Sequence, residues 1–599
     1  MTQDQAAPAS PEAPASPGLT ARVDGLAEAA PSAAAVIEVG DRALTWSRAE
    51  LRRAADGVSE LLLRLGVRPG EAVAFQLPNW AECVAVTLGV LQIGAVVAPV
   101  MPVFGEREVA MVLARSKARV LVAPQSFRGR LHAQEVAGVV VEAERQGRGL
   151  LLEHVVVIAD VDATGAARAG TQGSRIRPTP PPTPTRALEW HDYDDAVSAV
   201  ASAAASAAAS ASALWDEDRS GLVELRPGGA DVAQLLFTSG TTGEPKGVQH
   251  LHGTLDLATR LEVEHLGLDE HDRVFIPSPL AHQTGFLYGL LLSWRLGVAA
   301  VVQPVWDARV ALEQAFERAG STFVQAATPF LMDLVDAVEA GASAPPRLRI
   351  FVATGTAVPR SLAERATRVL DTAVLGAFGT TETCLGTLSA PTDPPDSAWG
   401  SDGRPLAGIR IRIVDDHGAE LPRGQEGDYE LKSPTTFLGY LDRPDLTAEV
   451  FTADGWYRTG DRAILDADGF LHITGRVKDV INRGGEKVPV VEIENLLFGH
   501  PAVKEVAIVA MPDSRLGERA CAFVVGTDPL DFAEMQSFLA AAGVSKYYWP
   551  ERLEMIDELP RNAVGKIQKN VLRERAAQLV AGTGTSTGIG IGTATMESS

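Results

Sequence analysis

Five short apolar runs dominate the middle of the chain: AQLLF (233–237), RVFI (273–276), STFVQAA (321–327), LRIFVAT (348–354) and TAVLGAF (372–378). Each is followed by a loop and, in most cases, by a stretch patterned as a helix. Strands of this type alternating with helices imply parallel sheets covered on both faces, because a parallel pair needs a long crossover. The same alternation fills residues from about 19 to 160. After about 405 the spacing shortens to β-hairpin lengths, with turn signals at 416–418, 454–455 and 468–469. Residues from about 480 to 580 read as a small α+β unit. The expected fold is α/β: a large N-terminal domain (19–478) with a small β region, hinged to a small C-terminal domain (479–581).

At 599 residues the chain is too long for one ordinary domain. Its net charge of −22 argues against a nucleic-acid backbone or an anionic membrane as the main partner. The three cysteines, Cys83, Cys384 and Cys521, lie far apart with no C-x-x-C, so no disulfide framework or cysteine zinc site is expected. A reducing cytoplasm is the default. His250 and His252 make an H-x-H pair with nothing nearby to complete a metal site.

Residues 83–105 carry no charge and are long enough for a membrane span. Gln92, Gly94, Pro99 and Pro102 argue instead for a buried helix over about 83–93 and a strand over about 95–98. The run 284–302 contains Arg295 and takes the same helix–Gly–strand reading. No membrane span is expected, and residues 1–18 lack the basic and apolar regions of a secretory signal. They read as a disordered Ala/Pro tail, and 582–599 as a Gly/Thr tail. Residues 163–218 hold RPTPPPTPTR and an Ala/Ser run (196–213), and are expected to be a low-complexity surface insertion.

The strongest local signal is Phe237-Thr238-Ser239-Gly240-Thr241-Thr242-Gly243-Glu244-Pro245-Lys246-Gly247, directly after a strand. Glycines let backbone N–H groups approach an anion, hydroxyls donate to phosphate oxygens, and Lys246 supplies charge. It is not a Walker A loop, since no G-K-[S/T] occurs there.

Here the chain resembles the adenylate-forming superfamily of acyl-CoA synthetases, adenylation domains and luciferases. Four further marks follow in order: Phe378-Gly379-Thr380-Thr381-Glu382, Tyr457-Arg458-Thr459-Gly460-Asp461, Gly475-Arg476-Val477-Lys478-Asp479, and Pro560-Arg561-Asn562-Ala563-Val564-Gly565-Lys566. The resemblance implies a two-step reaction. A carboxylic acid attacks ATP to give an acyl-adenylate and pyrophosphate, and a thiol then displaces AMP. It implies Lys566 as the cation between carboxylate and phosphate, Glu382 as a Mg2+ ligand and Thr381 at the α-phosphate. It further implies Asp461 at the ribose, Arg476 at ribose or phosphate, and Gly355-Thr356-Ala357 with Phe378 and Gly379 about the adenine. Asp479 becomes the hinge, after which the Arg483-Gly484-Gly485-Glu486 face replaces Lys566 to admit the pantetheine arm.

Two other function classes fare worse. A non-catalytic nucleotide-binding module would be expected to lack Lys566, Glu382 or Asp461. A dinucleotide oxidoreductase would need a G-x-G-x-x-G between a strand and a helix. The thiol acceptor is coenzyme A or a carrier protein. The sequence contains no carrier or condensation domain, which favours CoA. The expected acid pocket is Pro279 to Phe286, with His282 at the thiol entry. Relatives that activate dihydroxybenzoate carry His-Asn there, whereas this chain has His282-Gln283, one methylene longer, with Phe286, Leu287 and Tyr288 adding apolar bulk. The expected substrate is an apolar acid, cyclic or short to medium in chain. The alternative is an aryl-acid adenylating enzyme that loads a carrier protein.

Overall fold

Parallel strands from both halves of the N-terminal region assemble into two large sheets, seen in a computed structural model that describes residues 18–159, 188–194, 220–238, 245–355, 358–483, 486–513, 515–562 and 566–582. The first sheet has nine strands. Its middle is parallel: Ala34–Glu38, Ala300–Val302, Val274–Ile276, Phe323–Ala327, Ile350–Thr354 and Ala373–Thr380, side by side. Antiparallel strands close both edges. The second sheet has eight strands. Val232–Thr238, Val96–Pro99, Ala72–Phe75, Val120–Pro124, His154–Ile158 and Glu189–Asp192 run parallel. Lys246–Leu251 and Gly439–Tyr440 complete it antiparallel.

Between the sheets lie the helices Ala81–Gln92 and His252–Leu266, and one hydrophobic cluster joins their side chains to those of both sheets. Every residue of Ala81–Gln92 is buried. A helix apolar all round belongs in an interior, which accounts for the charge-free run at 83–105. The following strand is Val96–Pro99, as expected. Among the described residues no helix is long and apolar enough to cross a membrane.

The shorter spacing after 405 forms a four-stranded antiparallel sheet of Arg410–Val414, Glu426–Lys432, Tyr457–Leu465 and Leu471–Arg476. Beyond it, a five-stranded sheet built on the long hairpin Val503–Asp513 and Gly517–Gly526 packs with the helices Val490–Phe498, Phe532–Ala541 and Lys569–Gly582. Its two hydrophobic clusters are drawn entirely from residues 481–579.

One sequence expectation is corrected. Residues 163–218 are not all insertion, because Glu189–Asp192 is a strand paired in parallel with His154–Ile158, and Tyr193 is buried. The strand is short and sits between low-complexity stretches, so neighbouring composition conceals it. The Pro-rich and Ala/Ser runs lie outside the described residues, as do both tails apart from Gly18 and Gly582.

Candidate active site

A cavity of about 310 Å³ opens where the parallel strands of both sheets end. Most wall segments lie at or just beyond the C-terminal end of a strand: Pro78-Asn79, Met101-Pro102 and Phe127 from the eight-stranded sheet, and Pro277–Pro279, Gln303-Pro304, Ala327, Gly355 and Gly379–Thr381 from the nine-stranded one. Open α/β sheets bind ligands at these carboxyl ends, because the loops there are free to vary while the strands hold them fixed.

The expected pocket segment forms one wall. His282, Gln283, Thr284 and Tyr288 line the cavity. The helix from Gln283 widens to π geometry over Phe286–Leu291. The i→i+5 bonding of a π turn puts an extra residue into the turn, and Gln283 and Tyr288 both reach the cavity. Phe286 and Leu287 point the other way, into the core at 1% and 0% exposure, and do not line the site as expected. The Thr284 N–H donates to His282 Nδ1 at 3.3 Å, leaving the proton of the neutral ring on Nε2. Burial, aided by the nearby Lys566 charge, pushes the His282 pKa down to about 3. The ring is therefore neutral at physiological pH.

Opposite stands the loop after Ala373–Thr380. Its shape is held from behind: His250 Nε2 donates to the Thr381 carbonyl at 2.6 Å, Thr435 Oγ1 to the Thr383 carbonyl at 2.9 Å, and the Phe437 N–H to the Glu382 carbonyl at 2.7 Å. The Tyr440 hydroxyl donates to Glu382 Oε1 at 2.9 Å, and Lys246 Nζ lies 4.7 Å from the Tyr440 ring centre. Gly379 has no room for a side chain, since a Cβ there would meet the Cys384 carbonyl oxygen at 2.5 Å. Phe378 meets the Tyr429 ring edge-on, with centroids 5.1 Å apart.

Lys566 comes from the C-terminal unit and lines the same cavity. Its turn is clamped by Asn562, whose N–H donates to the Lys566 carbonyl while its Oδ1 accepts the Lys566 N–H, both at 2.9 Å. Burial and the Arg476 charge lower the Lys566 pKa, and Asp461 and Glu382 oppose them. Asp461 is itself buried, opposite Arg476 in the antiparallel register, with Arg476 Nε 3.2 Å from Asp461 Oδ1. Four widely spaced sequence motifs thus place Lys566, Glu382, Asp461 and Arg476 in one electrostatic neighbourhood.

Thr238 and Lys246 are the two ends of the glycine-rich loop, whose strands pair across it. Ser239, Gly240, Thr241, Thr242 and Gly243 lie outside the described residues, as do Thr356, Ala357, Gly484 and Gly485. Sequence reasoning missed Phe330, in the first turn of the helix Thr328–Glu339, and Asn79, Met101, Phe127 and Trp306, which come from separate loops. Asn79 organises one of them, donating to the Ser278 carbonyl at 2.9 Å and accepting the Leu280 N–H at 2.8 Å. Trp306 meets Phe330 edge-on at 4.8 Å and donates to Asp333 Oδ2 at 2.7 Å. The Glu382 carboxylate fits a Mg2+ ion: it is a hard oxygen donor, and its Oε2 has no hydrogen bond among the described residues.

Comparison with known proteins points to one family. The family model of the AMP-binding enzyme matches residues 24–441, and that of the AMP-binding enzyme C-terminal domain matches 492–566. The chain is 32% identical to the medium-chain fatty-acid–CoA ligase of Escherichia coli K12, over 92% of this chain and 88% of that one. It is also 32% identical to a salicylyl-CoA synthase/salicylate adenylyltransferase of a Streptomyces species, over 89% of each. Among solved structures, the anthranilate CoA ligase AuaEII in complex with anthranoyl-AMP superposes with a TM-score of 0.78 at 25% identity, covering 96% of this chain and 100% of that one. The chain therefore belongs to the AMP-binding enzyme family and is an acid–thiol ligase of the adenylate-forming superfamily.

Proposed function

We propose that the chain is a cytoplasmic acid–CoA ligase for an apolar carboxylic acid, cyclic or short to medium in chain. The size and lining of the cavity support this reading. At about 310 Å³ it lies at the low end of small-molecule sites, roughly 300–1,000 Å³. It must also admit the phosphate end and the thiol, so a compact acid suits it better than a long chain. Met101, Phe127, Trp306, Phe330, Leu385 and several prolines make its walls largely apolar.

In this reading the acid carboxylate lies between the Lys566 ammonium and Thr381, aimed in line at the α-phosphorus. Two anions must meet, so fixed positive charge and alignment carry most of the rate. The glycine-rich loop from Thr238 to Lys246 holds the outgoing pyrophosphate. Asp461 accepts from the ribose hydroxyls, Arg476 steadies ribose or phosphate, and Phe378 with Gly355 borders the adenine. Glu382 holds Mg2+, which when bound neutralises phosphate charge. The unit beyond Asp479 then turns, carrying Lys566 away and bringing the Arg483–Glu486 face to the thiol, while His282 borders its path. An AMP-forming ligase of this kind would serve fatty or related acid metabolism.

A second reading, a ring-hydroxylated aryl acid passed to a carrier protein, draws on one observation. Gln283 Oε1 is buried without a hydrogen-bond partner among the described residues, and an acid bearing a hydroxyl would supply one. Pyrophosphate release over a panel of carboxylic acids, with and without CoA, separates the two. The first reading expects the highest kcat/KM for an apolar acid and a thioester product with CoA. Salicylate or 2,3-dihydroxybenzoate leading the panel with no CoA dependence would overturn it.

A further inference from the structure

Far from the cavity, at the edge of the eight-stranded sheet, three side chains of two neighbouring strands turn toward one point. His154 opens the strand His154–Ile158, and its register partner on the edge strand is Glu189. His191 follows two residues later, on the same face as Glu189 because side chains alternate along a strand. His154 Nδ1 lies 3.4 Å from His191 Nε2 and 3.4 Å from Glu189 Oε2. The ligand atoms of all three fall within 4.8 Å of one another, the one such grouping of three His, Cys, Asp or Glu side chains among the described residues.

We propose that His154, Glu189 and His191 bind a divalent transition-metal ion, zinc by their chemistry, with water completing the coordination. The spacing carries the argument. Nitrogen ligands about 2.0–2.1 Å from a tetrahedral zinc lie roughly 3.3–3.4 Å apart, and two of the three pairs already have that separation. The Glu189 side chain is 71% exposed, so its carboxylate is free to close the third distance. Two imidazoles and one carboxylate suit zinc better than magnesium or calcium, which prefer oxygen.

Without a metal, the same three groups would form a hydrogen bond between the two rings and a polar contact to the carboxylate. That arrangement puts a proton between the ring nitrogens, whereas a bound ion takes a lone pair from each. Among the described residues, edge strand Glu189–Asp192 pairs with a neighbour on one side only. An ion held by both strands would fasten this edge to the sheet.

The test uses the full-length chain, purified without a polyhistidine tag and dialysed against EDTA. Titration with Zn2+ against a chromophoric chelator at pH 7.5 should show one tight equivalent. Co2+ should give the visible ligand-field bands of a four-coordinate site, and Zn2+ should raise Tm. His154→Ala and His191→Ala should each weaken that equivalent by more than the roughly 10–100-fold that loss of a mere supporting partner costs. Their metal-free Tm should stay near that of the unaltered chain, while its rise with Zn2+ disappears. No Co2+ bands in the unaltered chain would overturn the proposal without any variant. Equal zinc affinity in the His154→Ala/His191→Ala double variant would overturn it as well.

Discussion

The stem of Lys566 crosses Gly355 so closely that a methyl group on that glycine would lie 3.2 Å from Lys566 Cε. Gly355 also has φ of +91°, a conformation that side chains resist. Gly355→Ala therefore meets two obstacles, backbone strain on the order of 1–3 kcal/mol and a crowded lysine. Acyl-adenylate formation should fall more than about tenfold, and thioester formation from supplied acyl-adenylate should fall less. Measuring both half-reactions decides; equal losses would mean that strain alone is felt.

Lys566→Ala removes the one lysine that, among the described residues, the C-terminal unit contributes to the cavity wall. Pyrophosphate release should drop on the order of 10²–10³-fold, the scale of losing a preorganised charge contact. Conversion of supplied acyl-adenylate to the thioester should largely survive. If single-turnover assays show both steps crippled alike, Lys566 is not confined to the first.

His250 sits fully buried beneath Thr381, and burial lowers its pKa to about 4. A neutral ring in the folded state and an ordinary histidine in the unfolded one give a definite sign. The contribution to stability is complete above the unfolded pKa of about 6.5 and is lost as pH falls toward 4. His250→Gln keeps a donor for the Thr381 carbonyl but does not titrate. Relative to that variant, the unaltered chain should lose about 1.4 kcal/mol per pH unit across this window. Denaturant unfolding at several pH values checks it, and parallel curves for the two proteins would refute it.

Deletions within 163–218 should differ in outcome. Removing the Ala/Ser run 196–213 should leave Tm and turnover nearly unchanged, since loop length affects stability only slowly. Removing 168–212 also takes away Glu189–Asp192 and the buried Tyr193, and Tm should fall by several degrees. Differential scanning fluorimetry on the two deletions distinguishes them.

Strands are legible in the sequence where burial is two-sided. The runs at 233–237, 273–276, 321–327, 348–354 and 372–378 are all strands, because a strand covered on both faces must be apolar throughout. Glu189–Asp192 is an edge strand with a partly exposed side chain at nearly every position, so no such run marks it. The cavity is legible only along its motif segments. Gln283 and Tyr288 belong to one continuous stretch, yet the π turn decides which neighbours face inward, and nothing in Phe286 or Leu287 announces their turn toward the core. Trp306, Met101 and Asn79 on loops, and Phe330 at a helix start, reach the site only because the sheets bring these segments together. No local pattern encodes that meeting.

The nine-stranded sheet has a history written into its register. Ala34–Glu38 is among the first strands made, and one of its partners is Ala300–Val302, roughly 260 residues later. At about 5–20 residues per second on the ribosome, that wait is roughly 13–50 s. Throughout it, the helix Ala81–Gln92, which has no polar face to offer water, lacks the second sheet that covers it. Newly made chains are therefore sticky for most of their synthesis. The expression yield of this enzyme should depend on chaperone supply and temperature more than the stability of the finished fold would suggest.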